Sequence, residues 1–155
     1  MENDKFMMEA IRLAMESVDK GGGPFGAVIV KNGEIIASAA NSVTGDTDPT
    51  AHAEVNAIRK AAKKLNHFEL TGCEIYTSCE PCPMCLGAIY WARLDRVYFA
   101  ANKTDAKHAA FDDSFIYDEM EKPYWKRKIK TIQLRRDEAL KTFQRWNDKA
   151  DKIRY

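Results

Sequence analysis

At 155 residues the chain has the length of one domain, and no window approaches the roughly 20 apolar residues that a membrane span requires, so a soluble cytoplasmic protein is expected and a membrane partner is not. Residues are 45% hydrophobic and 30% charged, an ordinary globular composition rather than a disordered one. The net charge of +1 conceals an asymmetry: eleven of the 24 Lys and Arg but four of the 23 Asp and Glu lie in residues 126–155, leaving thirteen against nineteen before them, which argues against a nucleic-acid partner and makes the basic tail a solvated helix face.

The opening residues carry Glu2, Asp4 and Lys5 and run into an amphipathic pattern, so they are not expected to be a secretory leader. Asn3 or Asp4 caps a first helix in which Phe6, Ala10, Ile11, Leu13, Ala14, Met15 and Val18 recur at helical spacing, until Gly21, Gly22, Gly23 and Pro24 stop it. Residues 27–31 and 34–41 flank Asn32-Gly33, the strongest short hairpin signal, and are expected to pair as strands. A polar loop over 42–50 delivers the chain to a second helix over 51–65, rich in Ala, Lys and Arg. A strand over 74–79 follows. The stretch Pro81-Cys82-Pro83-Met84-Cys85 then opens a third helix to about Arg93, because proline is tolerated where the first-turn N–H groups are unpaired anyway. A strand over 97–101, a loop holding Asp105 and His108, a short helix over 114–121, a last strand over 129–134 and a helix over 137–153 complete the chain. Strands separated by such helices imply a single α/β domain over 1–155, a three-layer α/β/α sandwich around a central mixed five-stranded sheet with the hairpin as its antiparallel part.

Three of the four cysteines, Cys79, Cys82 and Cys85, crowd within seven residues, and without a secretory context metal is a better use for them than disulfides. His52 with Cys82 and Cys85 offers one imidazole and two thiolates, donors that Zn²⁺ prefers, and three protein ligands leave a tetrahedral ion one position open. Residues two apart point to different sides in mid-helix, but His52 and Glu54 share a site if they open a helix, since a ligand on the axis is reached from the whole first turn. Cys82 and Cys85 open another helix, one turn apart and near its positive dipole end, which favours thiolate over thiol. Zinc so held lowers the pKa of a bound water from about 15.7 to about 7, making hydroxide available; Glu54 is then expected to take the proton, pass it to a substrate ring nitrogen and later protonate the leaving amine. Competing readings are a structural zinc with Cys79 as fourth ligand, which leaves Glu54 without a task, and a Cys82/Cys85 redox pair, which explains neither His52 nor Glu54. An iron–sulfur cluster lacks its fourth cysteine, and His67 and His108 stand alone as surface or loop residues.

His52-Ala53-Glu54 followed by Pro81-Cys82-Pro83-Met84-Cys85 resembles the H-x-E…P-C-x-x-C signature of the zinc-dependent nucleobase and nucleoside deaminases of the cytidine/deoxycytidylate deaminase superfamily. Residues 23–28, Asn41, residues 80–93, residues 111–117 and the terminal Tyr155 are similar to the small bacterial guanine deaminases in particular. The resemblance implies hydrolysis of guanine to xanthine and ammonia, with His52, Cys82 and Cys85 holding zinc and Glu54 as proton shuttle. It places Phe25 against one face of the purine and His52 against the other, Asn41 and the Ala53 backbone N–H on the purine edge, Trp91 and Phe111 in the pocket wall, and Asp113 at the guanine amide or amine edge. It also implies a homodimer that exchanges its C-terminal segments, about residues 126–155, so that Tyr155 closes the pocket of the other subunit and the basic tail is a docking segment. Guanosine, a cytosine-type base or transfer-RNA adenosine remain alternative substrates, and a zinc-stabilised scaffold without turnover the alternative of another class. Read without the resemblance, Phe25, Trp91 and Phe111 are core aromatics, Asn41 a turn residue, Asp113 a helix start and Tyr155 a frayed end. Ala110 stands before Phe111 where the family pattern leads one to expect glycine.

Overall fold

The structure, a computed structural model, describes residues 2–155, with side chains from residue 3 onward. The chain forms two compact units, one ending at Asp113 and the other spanning Ser114–Tyr155. In chain order the first unit holds α1 (Glu2–Asp19), β1 (Gly26–Lys31), β2 (Glu34–Ala40), α2 (Val43–Asp46), α3 (Ala53–Leu65), β3 (Cys73–Cys79), α4 (Pro83–Trp91), β4 (Arg96–Ala101) and α5 (Lys103–His108). The second holds α6 (Ser114–Glu121), a 3₁₀ turn (Tyr124–Lys126) and α7 (Arg136–Asp148).

Asn32 and Gly33 both take positive φ, 51° and 77°, the geometry that matches hairpin twist, and they set β1 antiparallel to β2 with Ala27 opposite Ala39. β1 is also antiparallel to β3, and β3 runs parallel to β4, giving a mixed sheet in the order β2-β1-β3-β4. Alternation along β1 sorts its side chains between two cores. Ala27 and Ile29 join Ile75, the small-residue stripe Ala53, Ala57 and Ala61 of α3, and Ile89 of α4; Val28 and Val30 join Phe6 of α1 and Tyr76. The result is α1 on one face, the sheet, and α3 with α4 on the other. Gly26 lets α1 settle closely: a Cβ there would overlap the Ala10 carbonyl oxygen and come within 2.7 Å of the Ala14 nitrogen.

The expected five-stranded sheet is corrected to four strands among the described residues. Residues 129–134 form no ladder; Ile129, Ile132 and Leu134 are exposed, Ile129 at 82%, and Thr131 Oγ1 donates locally to the Ile129 carbonyl. Ile129 and Ile132 are three apart and so fall on opposite faces of any strand, leaving only Ile132 and Leu134 in alternation. Two short helices occupy stretches expected to be loops. α2 is a single turn ended by Thr47 in the left-handed region, and α5 is set by a capping box in which Asn102 Oδ1 accepts from the N–H groups of Thr104 and Asp105 while Asp105 Oδ2 accepts from that of Asn102. The final helix ends at Asp148, short of the expected residue 153. No helix among the described residues is long and apolar enough to cross a membrane.

Candidate active site

β2, β3 and the loops that follow them carry the chemistry-bearing residues to one end of the sheet. His52 is the N-cap of α3 and Cys82 the N-cap of α4, both in extended backbone with no side-chain cap bond, so their side chains are left for another partner. Cys85 follows one turn into α4 and is fully buried. His52 Nδ1 lies 3.6 Å from Cys82 Sγ and 3.4 Å from Cys85 Sγ, and the three donor atoms all lie within 4.8 Å of one another. A tetrahedral zinc with ordinary Zn–S and Zn–N bonds requires nitrogen and sulfur about 3.6 Å apart, so the donor set fits the ion in chemistry and spacing. Cys79 is not part of the cluster: its Sγ turns to the Asn102 carbonyl, 3.8 Å away, and burial pushes its thiol up to about 11.

Glu54, in the first turn of α3, is 6% exposed and its Oε2 is 3.4 Å from Cys85 Sγ. Burial raises its carboxyl above the ordinary range, so it holds a proton more readily than a surface glutamate does. The two ligand sulfurs divide one proton unequally. The hydrogen bond from Cys85 pulls Cys82 down to about 4 against its burial, with His52 adding to the effect, while Cys85 is raised first by that same bond and then by burial and the Glu54 charge. His52 is raised chiefly by its hydrogen bond to Cys82.

The remaining sequence-predicted residues fall into two groups. Phe25 packs on the core and meets Phe111 edge-on, ring centroids 4.9 Å apart at 87°; the Asn41 N–H donates to the Phe25 carbonyl at 3.0 Å; and Ala53 is fully buried at the start of α3. The Asn41 Oδ1 accepts from the Val43 N–H at 3.2 Å. Asp113 is half-buried, and its carboxyl is raised by burial first and by the Cys82 charge second. Trp91, by contrast, ends α4 with 65% of its surface exposed beside the Arg93 guanidinium, and Tyr155 lies in the second unit, 72% exposed. Sequence reasoning missed Ser17, whose Oγ donates to the Asn41 carbonyl at 3.4 Å, Ser78, whose Oγ accepts from the Gly26 N–H at 3.0 Å, and Asn56. Only Asn56 left a trace in the sequence, as a polar residue one turn after His52 in an alanine-rich helix.

The model of the cytidine and deoxycytidylate deaminase zinc-binding region matches residues 1–101. The chain is 56% identical over 156 residues to a guanine deaminase of Bacillus subtilis (strain 168), covering 100% of each protein. It is 46% identical over 120 residues to a tRNA-specific adenosine deaminase of Aquifex aeolicus (strain VF5), covering 77% of this chain and 78% of the other. An X-ray structure of guanine deaminase from Bacillus subtilis matches with a TM-score of 0.97 at 56% identity, covering 100% of this chain and 99% of that one.

Proposed function

The chain belongs to the cytidine and deoxycytidylate deaminase family, and from that premise we infer that it is a zinc-dependent guanine deaminase, converting guanine and water to xanthine and ammonia. The observation that carries the reading is a His-Cys-Cys donor set of zinc dimensions with one buried carboxylate against it. Bound by His52, Cys82 and Cys85, the ion supplies the Lewis acidity that makes water a nucleophile near neutral pH. Glu54 moves the protons: its carboxylate takes one from the attacking water and delivers it to a ring nitrogen, then takes the second from the hydroxyl newly added at the carbon that bears the 2-amino group and gives it to the departing amine, which leaves as ammonia as the C–N bond breaks and the C=O forms. A carboxyl raised by burial suits that task, because it holds the transferred proton more readily than an ordinary glutamate does until the ring nitrogen or the amine takes it.

Phe25 lies against one face of the purine, with the His52 imidazole on the other, Phe111 and Trp91 as walls, and Asp113 at the amide or amine edge. The edge-on Phe25–Phe111 pair and the position of Asp113 within reach of the Cys82 charge support this placement. Asn41 and the Ala53 N–H hold the purine edge; Val43 occupies one lone pair of the Asn41 oxygen, leaving Asn41 its NH₂ as donor and the second lone pair as acceptor. The protein works as a cytoplasmic homodimer in which the C-terminal segment crosses to the other copy and Tyr155 closes its pocket. Two features support a second copy: no residue of 114–155 is buried although Trp125, Ile129 and Phe143 are among them, and α4, apolar around its whole circumference, leaves Leu86, Tyr90 and Trp91 uncovered.

Ammonia release measured on guanine, guanosine, cytosine, cytidine, adenine and adenosine, with metal analysis of the same sample, tests the assignment. Guanine is the expected substrate, with one zinc per chain; Glu54→Gln keeps the zinc and lowers turnover by about 10²-fold to 10⁴-fold. Preference for adenosine or cytidine, or undiminished turnover without Glu54, refutes it.

A further inference from the structure

We propose that Asn56 is a positioning residue that ties the segment carrying Asn41 to the helix carrying His52 and Glu54, and so keeps Asn41 in the place from which it holds the purine edge. Its Nδ2 lies 3.1 Å from the Ala40 carbonyl, 2.9 Å from Ser42 Oγ and 3.3 Å from the Ala51 carbonyl. Ala40 and Ser42 flank Asn41, and Ala51 immediately precedes His52. One amide thus touches the chain on both sides of the substrate-reading residue and just ahead of the first metal ligand.

Chemistry fixes which way the amide faces. Two of the three neighbours are carbonyl oxygens, and the third, Ser42 Oγ, donates its own proton to Asp46 Oδ2 at 2.5 Å, so it accepts from Asn56. Only an NH₂ group suits these acceptors, its two hydrogens serving two of them with one shared toward the third; an oxygen in its place would meet acceptors alone. The backbone reinforces the same junction, since the Ser42 N–H donates to the Ala51 carbonyl at 2.9 Å. Asn41 is held from its other side by the Phe25 carbonyl and by Ser17. Asn56 therefore couples this segment to α3 two residues beyond the Ser38 carbonyl, to which Lys60 of α3 donates at 3.1 Å, while α3 itself is seated by Ala53, Ala57 and Ala61, which do not involve Asn56.

The proposal rests on the reading of Asn41 as a purine contact, and the experiment separates the two. Guanine kinetics, zinc content and thermal midpoint are measured for Asn41→Ala, Asn56→Ala, Asn56→Asp and the Asn41→Ala/Asn56→Ala pair. Asn56→Asp keeps the side-chain volume and replaces the donor by an acceptor, and it carries the test by itself should the alanine variant fail to fold. Each Asn56 variant is expected to raise KM about ten-fold with kcat within about two-fold and zinc unchanged, and the double variant to be no worse than Asn41→Ala alone. A lowered midpoint with KM unchanged, or effects that add in the double variant, would overturn the proposal. A raised KM for Asn41→Ala with none for either Asn56 variant overturns it alone, whereas an unchanged KM for Asn41→Ala removes the Asn41 reading and this inference together.

Discussion

Ala110 occupies a backbone position that favours glycine, and replacing it makes a signed, measurable difference. Its φ is +68°, and the chain leaves α5 there through two bonds, Phe111 N–H to the Ala106 carbonyl at 2.9 Å and Ala110 N–H to the Lys107 carbonyl at 3.0 Å. That pair is the Schellman arrangement, with Ala110 at the left-handed position. A Cβ in this region costs about 1–2 kcal/mol, while glycine loses about 0.5–1 kcal/mol more chain entropy on folding, so Ala110→Gly stabilises by about 0.5–1 kcal/mol. For a chain of this length that raises Tm by about 1–4 °C, measured by thermal unfolding at fixed protein and zinc concentration. Ala106→Gly supplies the control: the same change four residues earlier, inside right-handed α5, lowers stability by about 1 kcal/mol. Opposite signs for the pair are expected. A lowered Tm for Ala110→Gly, or shifts in the same direction, would refute the left-handed turn. Because glycine keeps the turn, Phe111 keeps its contact with Phe25 and turnover changes little.

Zinc uptake by the chelated protein releases protons at neutral pH, one from Cys85 and more from whatever fraction of His52 is charged, since both are raised, while Cys82, near 4, is already thiolate; affinity therefore falls as pH falls, and an indicator-dye titration showing no proton release would exclude this ionisation pattern. Glu54→Gln stabilises the chelated protein at neutral pH: a carboxyl raised by burial contributes stability below its ordinary range and loses it as pH rises through the folded value, so the gain shrinks toward pH 4 in urea titrations and its persistence there would count against the burial argument. Gly26→Ala drives a methyl group into the α1 backbone and lowers stability by about 3 kcal/mol; a neutral result would mean that α1 does not pack at the distance described. Deleting the last few residues, Tyr155 included, leaves zinc content intact and reduces turnover, and full activity of the shortened protein would refute closure by the exchanged segment.

What the sequence discloses of the site is the part carried by local spacing. His52 and Glu54 two apart at the opening of one helix, and Cys82 and Cys85 three apart at the opening of another, need only helix geometry to be grouped, and the structure brings these four side chains together. Which imidazole nitrogen faces the sulfurs is not local, because ring orientation depends on how α3 meets α4; it is Nδ1. The partners of Ser17, Ser78 and Asn56 are hidden for a related reason: each bonds backbone groups from distant segments, and no periodicity encodes such a partner, although Asn56 itself stands out as a polar residue in an alanine-rich helix. The strand expected over 129–134 fails differently. Apolar residues there report that a surface wants covering, not what covers it, and the same holds for Leu86, Tyr90 and Trp91 on a helix with no polar face. Hydrophobic pattern is thus informative in proportion to how much of the covering surface lies in the same stretch of chain. It is sufficient for β1 between its two cores, and it falls short for the second unit, where 42 residues keep their aromatic side chains outside any core of their own.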